Sequence, residues 1–103
     1  EEGTDVVLTH GPCLGILDHT QSGTSINTDE SGSSAVYSCG DKSLLNHIRR
    51  VNPVLHVFGH IHDEDRCKNA GIMQIQGLRT KFVNASVLNL NYNKCNDGIY
   101  LEI

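Results

Sequence analysis

A helical stripe that stops on Asn52-Pro53 and runs without a linker into an apolar β-type segment narrows the fold of this chain more than any other feature. Asp41 stands where an N-cap belongs, and Leu44, Leu45, Ile48 and Val51 recur at helical spacing until the Asn-Pro pair ends the turn. This predicts a helix over about 42–51. Val54, Leu55, Val57 and Phe58 follow at once as a buried strand over 54–58, and Asp5-Val6-Val7-Leu8-Thr9 forms an earlier short strand of the same kind. Strand, crossover helix, strand is then the simplest arrangement of the first 60 residues, and the fold class is α/β.

Each of these strands delivers a histidine at its end. The first runs into His10-Gly11-Pro12, the second into Gly59-His60-Ile61-His62-Asp63. Gly59 offers the corner a backbone freedom closed to other residues. Imidazole is a common metal ligand, and a pair fixed at the mouth of a rigid sheet is partly aimed before an ion arrives. Open α/β sheets place their sites beyond the carboxyl ends of the strands, so His10 is expected to meet the His60/His62 pair in space. The other histidines read differently. His56 shares a strand face with Val54 and Phe58, as a hydrogen-bonded packing residue would. His47 falls off the helix stripe and His19 opens a polar segment, which suits solvated surface positions.

One hundred and three residues make one domain, able to bury about two-thirds of its unfolded surface. With 38% hydrophobic and 19% charged residues the composition is that of a soluble globular protein, and no apolar run nears the roughly 20 residues of a membrane span. The net charge of −4 argues against a nucleic-acid surface, since phosphate backbones are held by clustered basic side chains. Arg49-Arg50, the adjacent basic pair, suits a helix C-terminus. Cysteines 13, 39, 67 and 95 form no C-x2-C pair and read as free thiols in a reducing, cytoplasmic setting. A small secreted disulfide protein is the competing reading. No targeting peptide opens the chain, and Glu1-Glu2-Gly3 is expected to be a cut rather than a start. Residues 20–38 are rich in Gly, Ser and Thr and predict a long flexible surface loop. Beyond His62 a polar loop (63–71) precedes alternating stretches at 72–76, 81–84 and 98–103, so the remainder is expected to be all β.

Val7-Leu8-Thr9-His10-Gly11-Pro12, Leu55 through Asp63, and Lys81-Phe82-Val83-Asn84-Ala85-Ser86 together resemble the carboxyl-terminal half of the calcineurin-like metallophosphoesterases. The phrasing is nearest to the metallophosphoesterase-domain-containing, class III cyclic-nucleotide-phosphodiesterase-like branch. That resemblance covers nearly the whole chain and implies that residues 1–103 form the second half of a four-layer α/β/β/α sandwich. It implies two divalent metal ions (manganese, iron or zinc) and a phosphodiester or phosphomonoester substrate, with His10 and His60 on one ion and His62 on the other. Paired ions about 3.5–4 Å apart can hold a hydroxide for in-line attack on phosphorus. Asp63 is a candidate to orient His62 through its second ring nitrogen, and Asn84 a candidate brace near the site.

The family pattern also requires D-x-H, G-D-x-x-D and G-N-H followed by Glu or Asp. Here Gly40-Asp41 leads into Lys42-Ser43-Leu44, and no Gly-Asn-His occurs. The isolated chain is therefore expected to be inactive and to need the missing amino-terminal half, in cis or in trans. Half a sandwich leaves a sheet face open to self-association. No membrane partner is implied. The alternative is a non-catalytic metal-binding or interaction domain that keeps the scaffold.

Overall fold

The computed structural model describes residues 3–20, 37–64 and 67–102. In chain order the elements are β1 (Val6–Leu8), β2 (His19–Thr20), β3 (Tyr37–Ser38), α1 (Lys42–Val51), β4 (Leu55–Phe58), β5 (Gly71–Gln74) and β6 (Lys81–Asn84). Both ends of α1 are specified locally. The Asp41 carboxylate accepts the Leu44 N–H, satisfying one of the donors a helix start leaves orphaned. At the other end Asn52 adopts a left-handed conformation (φ 50°) and its N–H closes on the Ile48 carbonyl, with Pro53 ruling out a further turn. Arg49 and Arg50 sit in the last turn, where positive charge complements the helix dipole.

Four strands form one mixed sheet in the order β1-β4-β6-β5. β1 and β4 are parallel neighbours with α1 as their crossover, β6 is parallel to β4 on the far side, and β5 returns antiparallel along β6. The α/β class stands, with the crossover unit where the sequence puts it. Alternation along the strands sorts the side chains. Val7, His56, Phe58 and Phe82 share the face that meets α1, and Cys13, Ile16, Ile48, Phe58 and Phe82 form the buried core. Val6, Leu8 and Ile72 point from the opposite face and stay exposed, at 42%, 74% and 49%.

Three expectations change. The Gly/Ser/Thr-rich loop is narrower at both ends, because Thr20 and Tyr37–Ser38 belong to the antiparallel pair β2–β3; residues 21–36 lie outside those described. His19 is therefore a strand residue, with its N–H donated to the Asn69 Oδ1 and its carbonyl accepting from Asn69 Nδ2, although it remains exposed. The alternation at 98–103 yields no strand among the described residues, and Tyr100 is 93% exposed. A period of two shows only that a segment could sit half-buried in a sheet; a neighbouring strand must supply the ladder.

The loop after β1 is sealed against the start of α1 by paired backbone bonds between Asp41 and the Pro12–Leu14 segment. A Cβ at Gly40 would overlap the Cys13 carbonyl group there, whereas at Gly11 it would meet nothing within 4 Å. Gly40→Ala should therefore cost about 1–3 kcal/mol in urea denaturation, with Gly11→Ala close to neutral. Equal effects at the two positions would contradict this packing.

Candidate metal centre

The pairing of β1 with β4 does not stop where the strands do. Thr9 N–H donates to the Val57 carbonyl at 3.1 Å and Gly59 N–H to the His10 carbonyl at 3.0 Å, so the two strand ends stay in register through their histidines. His10 and His60 consequently face each other with ring centroids 4.4 Å apart and planes tilted by 41°. The corner is then closed by the Ile61 N–H bonding the Gly59 carbonyl at 2.8 Å, a three-residue turn centred on His60. His60 carries the positive φ (69°) of the rarer, strained form of such a turn, and Gly59 does not, which corrects the expectation that the glycine absorbs the bend. A side chain with a Cβ in that region costs of order 1–3 kcal/mol, tolerated where the surroundings over-determine it.

His62 lies half-buried on the same cleft. Its Nδ1 is 3.2 Å from the Asn89 carbonyl and its ring meets Tyr92 edge-on, with centroids 5.5 Å apart. Asp63 does not orient it. The Asp63 carboxylate turns away and accepts the N–H groups of Asn69 (2.6 Å) and Ala70 (2.9 Å) on one oxygen and the Asn96 amide (3.2 Å) on the other. Burial alone would raise its pKa, but those donors, with Lys68 nearby, hold it below the usual carboxylate value. Asn84, fully buried, is a brace. Its amide donates to the carbonyls of Leu17 and Ile61, and its Oδ1 accepts the Ser86 N–H.

His56 is the packing histidine its strand position implies. The Thr9 hydroxyl donates to the Gly11 carbonyl, so it must accept from His56 Nε2 at 2.8 Å; His56 Nδ1 is left as the acceptor facing the Cys13 thiol at 3.8 Å. Burial pushes the His56 pKa down to about 4. Burial, with the carboxylates of Asp41 and Asp18 adding to it, pushes Cys13 up to about 12. Both therefore stay neutral and lock the Thr-His-Gly-Pro corner onto β4.

The three histidines line one open cleft of about 540 Å³, together with Cys39, Glu64, Leu90 and Tyr92. Sequence reading missed the last four. The run of asparagines at 89, 91, 93 and 96 was the available signal, since Asn favours turns and left-handed backbone. Chemically the cleft offers imidazole nitrogens. Among the described residues no three His, Cys, Asp or Glu side chains converge closely enough to hold an ion. The residues fit the imidazole share of a metal centre and not a whole one.

Two outcomes follow from this geometry. His60→Gly should be more stable than His60→Ala by about 1 kcal/mol in chemical denaturation, because glycine takes φ 69° without a Cβ clash; equal stabilities would show that the corner relaxes. For His56 the folded pKa lies below the unfolded value near 6.5, so protonation favours unfolding. Its stabilising contribution is present above about pH 6.5 and is lost as pH falls toward 4, by about 2 kcal/mol between pH 7 and pH 5. Urea titrations at both pH values should show that loss in the parent and lack it in His56→Gln; identical slopes would remove His56 as the source.

No family model matches the chain. Metallophosphoesterase domain-containing protein 1 of Homo sapiens and that of Mus musculus are each 39% identical to it over 103 residues, covering 99% of this chain and 26% of theirs. UPF0046 protein T07D4.2 of Caenorhabditis elegans is 34% identical over 102 residues, 98% of this chain and 21% of that protein. The chain thus spans about a quarter of the length of the curated relatives it matches. By sequence, it resembles a metallophosphoesterase-like region along essentially all of its length.

Proposed function

We propose that this chain is the second half of a four-layer α/β/β/α phosphoesterase domain and supplies three imidazoles to a two-metal centre that hydrolyses phosphodiesters or phosphomonoesters. The observation that carries the reading is the meeting of His10 and His60 beyond the carboxyl ends of two parallel strands, with His62 on the same cleft. The whole-length similarity to metallophosphoesterase-domain proteins supports it. Divalent manganese, iron or zinc, when bound, supplies Lewis acidity toward phosphate oxygens. In this reading His10 and His60 serve one ion and His62 the other. Leu90 and Tyr92 give the cleft an apolar wall against which the organic part of a substrate would lie. The carboxylates that bridge and balance two cations belong to a further segment of chain, in cis or in trans.

Hydrolysis of bis(p-nitrophenyl) phosphate by the polypeptide that carries residues 1–103, with manganese supplied, is the test. His10→Ala and His62→Ala should each lower kcat/KM by about 100-fold or more, and a chelator should abolish turnover. Chelator-resistant hydrolysis, or unchanged kinetics in both variants, would overturn the reading. The 103-residue chain alone should show no turnover.

The same reading expects the apolar Val6, Leu8 and Ile72 to stand exposed on the sheet face opposite α1, because half a sandwich leaves that face for its partner. Sedimentation of the isolated chain should then show a concentration-dependent dimer that Leu8→Lys disperses; a monomer at every concentration would count against this face as an interface.

A further inference from the structure

We infer that Asn89 is a positioning residue for His62: the turn it organises decides which ring nitrogen His62 presents to the cleft. A carbonyl oxygen only accepts hydrogen bonds. With His62 Nδ1 3.2 Å from the Asn89 carbonyl, the proton of the neutral ring sits on Nδ1 and the lone pair on Nε2.

The carbonyl can impose this because Asn89 is held from every side. Its Oδ1 accepts the N–H groups of Asn91 and Asn93, each at 3.0 Å. Its own N–H donates to the Asn93 carbonyl at 2.9 Å, and its carbonyl also accepts the Tyr92 N–H at 3.0 Å. The turn is tied to the residue after His62 by the Leu90 N–H, which donates to the Asp63 carbonyl at 2.9 Å. Within it Tyr92 takes φ 63°, a left-handed conformation that a residue with a Cβ keeps only where its surroundings hold it. In return its ring stands at 86° to His62 and limits the ring's rotation. One asparagine side chain thus holds a strained turn whose carbonyl fixes the His62 tautomer and whose aromatic ring fixes its orientation.

The sequence also says why asparagine suits this position. Asp would keep two acceptor oxygens for the Asn91 and Asn93 amides, whereas Ala would leave both without their partner. The consequence for binding rests on the proposed function: a carbonyl on Nδ1–H makes Nε2 a better donor toward a cation, and loss of such a partner typically lowers metal affinity about 10–100-fold.

The test is the long-range 1H–15N spectrum of the histidine rings at pH 8 in the full chain, with thermal denaturation of every variant. His62 should show the Nδ1–H pattern in the parent and in Asn89→Asp, and a shift toward the Nε2–H pattern in Asn89→Ala. A parent in the Nε2–H form overturns the inference whether or not the alanine variant folds, and so does an unchanged pattern in a folded Asn89→Ala. Titration with Zn2+ alone of the longer polypeptide that carries residues 1–103, and with them the remaining ligands, separates the two readings. An Nδ1–H parent that binds no Zn2+ leaves the positioning role in place and counts against the metal centre, while a folded Asn89→Ala should bind Zn2+ about 10–100-fold more weakly than the parent.

Discussion

The parallel pairing of β1 with β4 is the constraint on which the rest depends. Three register pairs, Val6 with Leu55, Val7 with His56 and Leu8 with Val57, would be a short ladder by themselves. What gives the pairing its consequence is its continuation through Thr9, His10 and Gly59, because two strand ends held in register must bring forward the side chains that follow them. The Thr9, His56 and Cys13 chain fixes the same corner from behind. Each donor in it is spent on one acceptor, so a second proton on His56 would set a ring N–H against the Cys13 thiol inside a buried space. A histidine that never faces the cleft thereby governs where His10 stands.

Of the four left-handed non-glycine residues among those described, two lie on the cleft and two, Leu17 with its carbonyl held by the Asn84 amide and Asn52, do not. His60 and Tyr92 both occupy left-handed backbone, and both line the cleft. Neither residue has an intrinsic reason to be there; each persists because neighbouring hydrogen bonds over-determine it. Local preference and tertiary demand conflict at these two positions, a conflict expected where a site, and not the core, sets the requirement. Asn52, also left-handed, is different in kind, since it ends α1 and shelters behind Arg79, whose Nε donates to its carbonyl at 2.6 Å.

How much of this was legible in the chain follows from how local each signal is. The helix was readable to its boundaries because a cap, a 3.6-residue stripe and an Asn-Pro stop all lie within a dozen positions. Lys81–Asn84 and β4 were readable because buried parallel strands are short continuous apolar runs; β1 was found by the same apolar run, although Val6 and Leu8 stay exposed and it is not the buried strand its sequence suggests. The two-residue strands β2 and β3 were not, since nothing in a His-Thr or Tyr-Ser pair announces a partner across residues 21–36. The Asp63 misassignment has the same origin. Adjacency in sequence suggested a bond to His62, but the carboxylate finds two backbone amides six and seven positions on, and the imidazole finds a carbonyl 27 positions on. The convergence of His10 with His60 was legible from the rule that α/β sites lie beyond strand ends; the turn that aims His62 was not, because it joins residues 27 positions apart.

The charges of the cleft carry the proposed function one step further. Imidazoles are neutral ligands, so three of them leave the charge of any divalent ion uncompensated in a cleft partly walled by Leu90 and Tyr92. The carboxylates nearby are committed elsewhere: Glu64 lines the cleft but is buried and accepts from the Thr20 hydroxyl, Asp63 holds its own loop, and Asp18 holds the N–H groups of Gly15 and Gly40. Redirecting any of them would break a buried hydrogen bond, at about 1–3 kcal/mol for the group left unpaired. Anionic ligands brought by another segment would carry no such cost. In the proposed reading a second half of the domain would answer both needs, anionic ligands for the cleft and cover for Val6, Leu8 and Ile72 on the sheet face opposite α1.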